Sequence, residues 1–232
     1  MITPKEIARK TMTDEKRNEI RKDLFPYYVI RPISYVLTVP LLYTGVSANC
    51  ITVISIFFTM IGFALLSFGK LMYMQILGWV FFFLWNVFDN IDGNIARYKK
   101  ATSPNGDLLD TLGGYMAISL TLLGMGAAAY FESGQYIWFV IAGASSVSTL
   151  IPRTLTHRMI SLGKDDDSAA ELKNKEDYSL AKVVALNICD PAGFQMVFML
   201  IAIIFHLCSL FTAGYAVLNI LVMAYSIRQL MK

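Results

Sequence analysis

The sequence predicts an all-α integral membrane protein, six transmembrane helices preceded by an N-terminal interfacial helix, and three observations carry that prediction. Of 232 residues, 56% are hydrophobic and only 16% charged, against roughly 45–50% and 25% in soluble domains. Apolar runs long enough to cross a hydrocarbon core about 30 Å thick, which takes about 20 helical residues, recur along the chain. Lys and Arg gather in alternate connections between those runs, as short cytoplasmic loops do. A soluble globule, a disordered chain and a nucleic-acid-binding domain are excluded by the same composition. The net charge of +3, from 20 basic and 17 acidic residues, marks no polybasic protein and implies no nucleic-acid partner.

Residues 1–25 read as a cytoplasmic N-terminal extension. The stretch Met1 to Asp23 is of mixed charge and lacks the apolar centre of a cleavable signal. Residues 26–232 form the membrane domain. Its opening stretch, Pro26 to Leu42, is apolar but short, carries Pro26, Pro32 and Pro40, and is dotted with Tyr27, Tyr28 and Tyr35, with Tyr43 just beyond. Such a segment suits the interface better than the bilayer core. The six spans follow at approximately Ile51 to Phe68, Leu71 to Tyr98, Leu108 to Phe131, Ile137 to Leu162, Val183 to Leu207 and Phe211 to Ile227.

Orientation follows from the loops. On the side of the N-terminus lie Lys5 to Lys22, then Arg97, Lys99 and Lys100, then Arg153 to Lys182, then Arg228 and Lys232, while the opposite side shows only Lys70 and Glu132. Both termini and the two larger loops are therefore expected in the cytoplasm, for a bacterial-type inner membrane or an ER-type one alike. The loop Lys164 to Lys182, mixed in charge, reads as a solvated linker. Cys50, Cys189 and Cys208 have no metal spacing and read as reduced packing residues.

Ionisable residues inside spans are costly and mark functional sites by default. Here the second span ends in Asp89-Asn90-Ile91-Asp92-Gly93-Asn94-Ile95-Ala96-Arg97, and the third begins Gly106-Asp107-Leu108-Leu109-Asp110. At helical spacing Asp89, Asp92, Gly93, Ala96 and Arg97 share one face. The carboxylates can hold a hard divalent cation through oxygen, Gly93 and Ala96 let a flat or bulky ligand approach the backbone, and Arg97 suits a phosphate. Ser103 reads as the N-cap and Pro104 as the first residue of the returning helix, which brings Asp110 back to the depth of Asp89 and Asp92. Three carboxylates facing one another within a membrane need a neutralising partner, for which Mg²⁺ or Mn²⁺ is expected. The plainer alternative is that Asp89, Asp92 and Arg97 pair with one another at a helix end.

At these residues the sequence resembles the CDP-alcohol phosphotransferase family. The family signature is Asp, two residues, Asp-Gly, two residues, Ala-Arg, eight residues, Gly, three residues, Asp, three residues, Asp. Asp89, Asp92, Gly93, Ala96, Arg97, Gly106 and Asp110 match it in register, including the gap from Tyr98 to Asn105. Ser47-Ala48-Asn49-Cys50-Ile51-Thr52 is similar to the Pro-Asn-x-x-Thr segment that leads into the family's first span, with Ala48 in place of proline. The resemblance implies an integral membrane enzyme open to the cytoplasm that transfers a phosphoalcohol group from a CDP-alcohol to an acceptor hydroxyl and releases CMP. CDP-diacylglycerol is the favoured donor because the site lies in the bilayer. It further implies Asp89, Asp92 and Asp110 as metal ligands, Gly93, Ala96 and Gly106 around the cytidine, Arg97 by the nucleotide, Asn49 and Thr52 at the diphosphate, and a homodimer.

One position departs from the signature. Where the family places its fourth aspartate, a metal ligand and general base, this chain has Gly114. With two divalent cations, three aspartates leave one positive charge uncompensated, so the second cation is expected to bind weakly or only with the donor. If the base has moved, the candidates are Asp110, then Asp190, then Asp107. The glycine also motivates a second reading, a silent relative that binds nucleotide or lipid. A small transporter fits less well, because the aspartates lie near the cytoplasmic ends of their helices rather than at midplane. Gly113 reads either as part of this change or as a close helix contact. Arg153 is the acceptor-side candidate, or else a positive-inside anchor. Asp190 precedes Pro191 and reads as a helix N-cap or as a carboxylate facing the cleft. His157 and His206 read as structural residues.

Overall fold

The computed structural model describes residues 2–13, 17–18, 20–161 and 180–230. Every regular element among them is helical. In chain order these are α1 (Pro4–Thr11), a π-helical turn (Pro26–Ile30) that runs straight into α2 (Arg31–Tyr43), α3 (Ala48–Phe68), α4 (Met72–Tyr98), α5 (Pro104–Ser133), α6 (Ile137–Ser161), α7 (Leu180–Cys189), α8 (Phe194–Ile204) and α9 (Cys208–Leu230). The charged stretch Lys164 to Lys182, expected to be a linker, lies outside the described residues as far as residue 179.

Among the described residues, four helices are long and apolar enough to cross a membrane: α3, α4, α5 and Cys208–Arg228 of α9. This is the signature of an integral membrane protein. The first three and the sixth expected spans coincide with them. The fifth, Val183 to Leu207, is not one helix but two, α7 and α8, parted by a turn at Asp190, Pro191, Ala192 and Gly193. Pro191 has no N–H to continue the ladder. The freed backbone is satisfied by side chains: Asp190 Oδ1 accepts from the Ala192 N–H at 3.1 Å, and Asn86 Nδ2 of α4 donates to the Ala192 carbonyl at 2.9 Å.

Helices α3, α4 and α5 pack together, and α5, α6 and α9 form a second group that shares α5. Their common core holds Leu66, Phe82, Met125 and Met199, all fully buried. Helices α3 and α4 approach so closely at Gly62 and Gly78 that a β-carbon on Gly62 would lie 2.9 Å from Phe82 and 3.0 Å from the Gly78 carbonyl. The outward faces carry Phe57, Val217 and Leu221, each more than half exposed. A lipid solvent accounts for that arrangement and water does not. Cys208 is buried, whereas Cys50, expected in packing, is exposed.

The N-terminal extension is built into this body. Thr3 caps α1 by accepting from the Glu6 N–H, Pro4 follows at the first helical position, and Ile7 is fully buried where α1 meets α2 and α4. Glu6 pairs with Lys10 at 2.8 Å and accepts from the Tyr98 hydroxyl at 3.1 Å, so α1 is tied to the last residue of α4. Farther on, buried Asn187 donates to the Lys22 carbonyl at 2.6 Å and accepts from the Leu24 N–H at 2.7 Å. On the opposite end of the bundle, the Glu132 carboxylate accepts from the N–H groups of Cys208 and Ser209 and so caps α9. His206 takes a left-handed conformation, φ 55°, just beyond the end of α8.

Candidate active site

Four helix ends meet around one cavity of about 300 Å³. The first turn of α3 contributes Asn49 and Thr52, and the C-terminal half of α4 contributes Asp89, Asp92, Gly93, Ala96 and Arg97. The first turns of α5 contribute Gly106, Asp107 and Asp110, and the start of α2 contributes Arg31. Each end is fixed locally. Ser47 caps α3 by accepting from the Cys50 N–H at 3.3 Å, and Ser103 caps α5, as expected, by accepting from the Gly106 N–H at 3.1 Å. Helix α4 closes with the Ala101 N–H on the Ala96 carbonyl and the Lys100 N–H on that of Arg97, with Lys100 left-handed at φ 51°. The starts of α3 and α5 carry partial positive charge, which favours an anionic ligand between them.

The three expected carboxylates converge. Ligand oxygens of Asp89, Asp92 and Asp110 all lie within 4.8 Å of one another. Asp92 is 6% exposed, and its Oδ2 is buried without a hydrogen-bond partner. Asp89 and Asp110 come within hydrogen-bonding reach of each other. No ion pair within 4 Å joins any of the three to Arg97 among the described residues, so pairing at a helix end does not account for the cluster. The donor set instead fits a small hard cation, whose octahedral oxygens at about 2.0–2.1 Å from the metal stand roughly 3 to 4 Å apart.

Glycines at the site make room for polar side chains. A β-carbon on Gly93 would stand 2.8 Å from Nη2 of Arg97, because the Arg97 side chain lies back along α4 over that residue. On Gly106 it would stand 3.0 Å from Oδ1 of Asn49, so α3 and α5 meet through those two residues. Thr52, buried at the same wall, lies beside Asp92 while its hydroxyl donates to the Ala48 carbonyl at 3.1 Å.

Two expected residues stand apart. Neither Arg153 nor Asp190 lines the cavity. Asp190, Tyr115 and Cys189 all lie within electrostatic reach of the Arg153 guanidinium. The expectation of Asp190 as a helix N-cap or a cleft carboxylate is thereby revised: it caps the turn between α7 and α8, because Pro191 obliges the chain to turn there before α8 begins, with Gly193 rather than Asp190 at its N-cap. Gly113 and Gly114 also separate. A β-carbon on Gly113 would come 3.3 Å from Ile56, a helix contact, while one on Gly114 would meet nothing within 4 Å. Arg31 was not anticipated. The only signal for it was a lone cation at the head of an apolar, tyrosine-rich segment.

A family model described as CDP-alcohol phosphatidyltransferase matches residues 45–227. No curated protein matches the chain. The match covers far more than half of the chain and includes three of the four helix ends that build the cavity. The chain therefore belongs to the CDP-alcohol phosphatidyltransferase family.

Proposed function

We propose that this chain transfers a phosphoalcohol group, phosphatidyl in the favoured case of CDP-diacylglycerol, to an acceptor hydroxyl and releases CMP in the synthesis of phospholipids or related precursors. The observation that carries this reading is the convergence of three aspartate carboxylates on a cavity bordered by two helix N-termini and two arginines. Asp89, Asp92 and Asp110 would hold Mg²⁺ or Mn²⁺. Such an ion supplies charge neutralisation for the phosphate oxygens and the departing CMP. Gly93, Ala96 and Gly106 line the wall that receives the cytidine, Arg97 faces its phosphates, and Asn49 and Thr52 border the diphosphate. The acceptor oxygen bonds to the phosphorus that carries the alcohol, the bond from that phosphorus to the bridging oxygen breaks, and the bridging oxygen leaves with CMP. The hydroxyl proton passes to a carboxylate in the wall, for which Asp110 is the first choice and Asp107 the alternative, since Asp190 lies elsewhere. Arg153, beside Asp190 and Tyr115, is the acceptor-side cation in this reading.

The membrane arrangement belongs to the same proposal. Helix α6 and the broken pair α7 and α8 accompany the four long helices in a six-pass homodimeric body, α2 lies at the interface, and the cavity and both termini face the cytoplasm. Gly114 favours a second reading, a relative that binds nucleotide or lipid without turnover. Release of CMP from radiolabelled CDP-alcohols, lipid and soluble, against a panel of polyol acceptors distinguishes the two. Turnover with any pair supports the transferase, and nucleotide binding without CMP release supports the silent relative.

A further inference from the structure

We propose that Arg31 binds the diphosphate of the donor together with Arg97, so that the segment preceding residues 45–227 completes the nucleotide site; the inference rests on the CDP-alcohol reading above. Three observations support it. Arg31 lines the same cavity as Arg97 and the three aspartates. The Nε atoms of both arginines are buried with no acceptor. The two guanidinium groups are near enough for Arg97 to feel the charge of Arg31, and neither makes an ion pair within 4 Å among the described residues. Like charges on one wall with unused donors favour a ligand of several anionic oxygens, and a guanidinium fork matches phosphate geometry.

The backbone that presents Arg31 is held by α4. The Arg31 N–H bonds back to the Pro26 carbonyl, closing a π-helical turn, a local form common at functional sites. Asn94, in the middle of the motif segment, sits on α4 outside the cavity wall. Its Nδ2 donates to Ser34 Oγ at 3.2 Å and to Thr38 Oγ1 at 3.3 Å, and Ser34 Oγ donates to the Arg31 carbonyl at 2.9 Å. Asn94, Ser34 and Thr38 are all buried, at 1%, 0% and 0% exposure. This chain of hydrogen bonds sets α2 against α4 at the turn that carries Arg31. Asn94 is thus a positioning residue for Arg31.

The test uses the full-length protein in detergent with Mg²⁺ and calorimetric titration of CDP, cytidine and methylene diphosphonate. Loss of charge-assisted hydrogen bonds to phosphate corresponds to roughly ten- to a hundredfold in affinity. Arg31→Gln is expected to weaken CDP and methylene diphosphonate by that factor and leave cytidine unchanged, Arg31→Lys to retain part of the binding, and Asn94→Ala to show the Arg31→Gln pattern in weaker form. Melting temperatures measured without ligand identify any variant that has lost its fold, in which case Arg31→Lys decides. Equal affinity of wild type and Arg31→Gln for methylene diphosphonate overturns the assignment, as does an equal loss for cytidine and CDP. Should wild type bind methylene diphosphonate through Arg31 yet show no preference for CDP, the CDP-alcohol reading fails while the anion-binding role of Arg31 stands.

Discussion

The guanidinium of Arg97 lies over Gly93, one helical turn before it, with Nη2 2.8 Å from where a β-carbon would stand. The Asp-Gly-x-x-Ala-Arg spacing is thus also a packing relationship: the glycine leaves the groove in which the arginine rests, and the arginine faces the cavity from there.

Gly93→Ala should displace the Arg97 guanidinium rather than the backbone, because only the far end of that side chain must move. CDP affinity is expected to fall by about tenfold, on the scale of one charge-assisted hydrogen bond. Metal affinity, set by the aspartates, should stay at the wild-type value. Titration of CDP and of Mn²⁺ separately checks this, and a loss confined to Mn²⁺ would contradict it.

The sequence disclosed the site more fully than the fold. Asp89, Asp92 and Asp110 could be placed together because helical spacing and a short capped turn leave one antiparallel return, and Ser103 and Pro104 marked that turn. Pro191 was visible as a helix-start signal, but that it splits the apolar run Val183 to Leu207 was not, since hydropathy does not register a missing N–H. Of the two side chains that repair the break, Asp190 acts within the turn and Asn86 acts from α4, across helices. Arg31 was hidden for the same reason: its approach to the cavity depends on hydrogen bonds from Asn94 to α2, a tertiary contact without a local pattern.

The latch between α1 and α4 should respond to acid. Hydrogen bonds from Lys10 and Tyr98 hold the Glu6 carboxyl below the usual carboxylate range. A depressed carboxylate contributes stability above its unfolded pKa and loses it as pH falls through the folded one. Docking of α1 is therefore expected to hold at neutral pH and to weaken only below pH 4.5. A fluorophore at exposed Lys5 should keep its anisotropy from neutral pH down to that point and lose it below, and Glu6→Gln should show lower anisotropy already at neutral pH. Anisotropy that is flat throughout and identical in the variant would contradict the latch.

Gly114 lies four residues after Asp110, on the same face of α5, and a side chain there would enter open space. Gly114→Asp should therefore fold like wild type. A positioned base contributes typically about 10²- to 10⁴-fold, so if the base is lost in this chain the variant should release CMP at least tenfold faster. Equal rates in the two proteins would show that a carboxylate already present, Asp110 or Asp107, performs the task.

The central claim is that three aspartates and a divalent cation release CMP from a CDP-alcohol. The most direct measurement is CMP release from radiolabelled CDP-diacylglycerol by the purified protein supplied with the panel of polyol acceptors, with Mg²⁺ or Mn²⁺, with excess chelator, and in Asp92→Asn. The account predicts release in the first case, none with chelator, restoration when the metal is returned, and none in Asp92→Asn. Full release in chelator, or by Asp92→Asn at the wild-type rate, would contradict it.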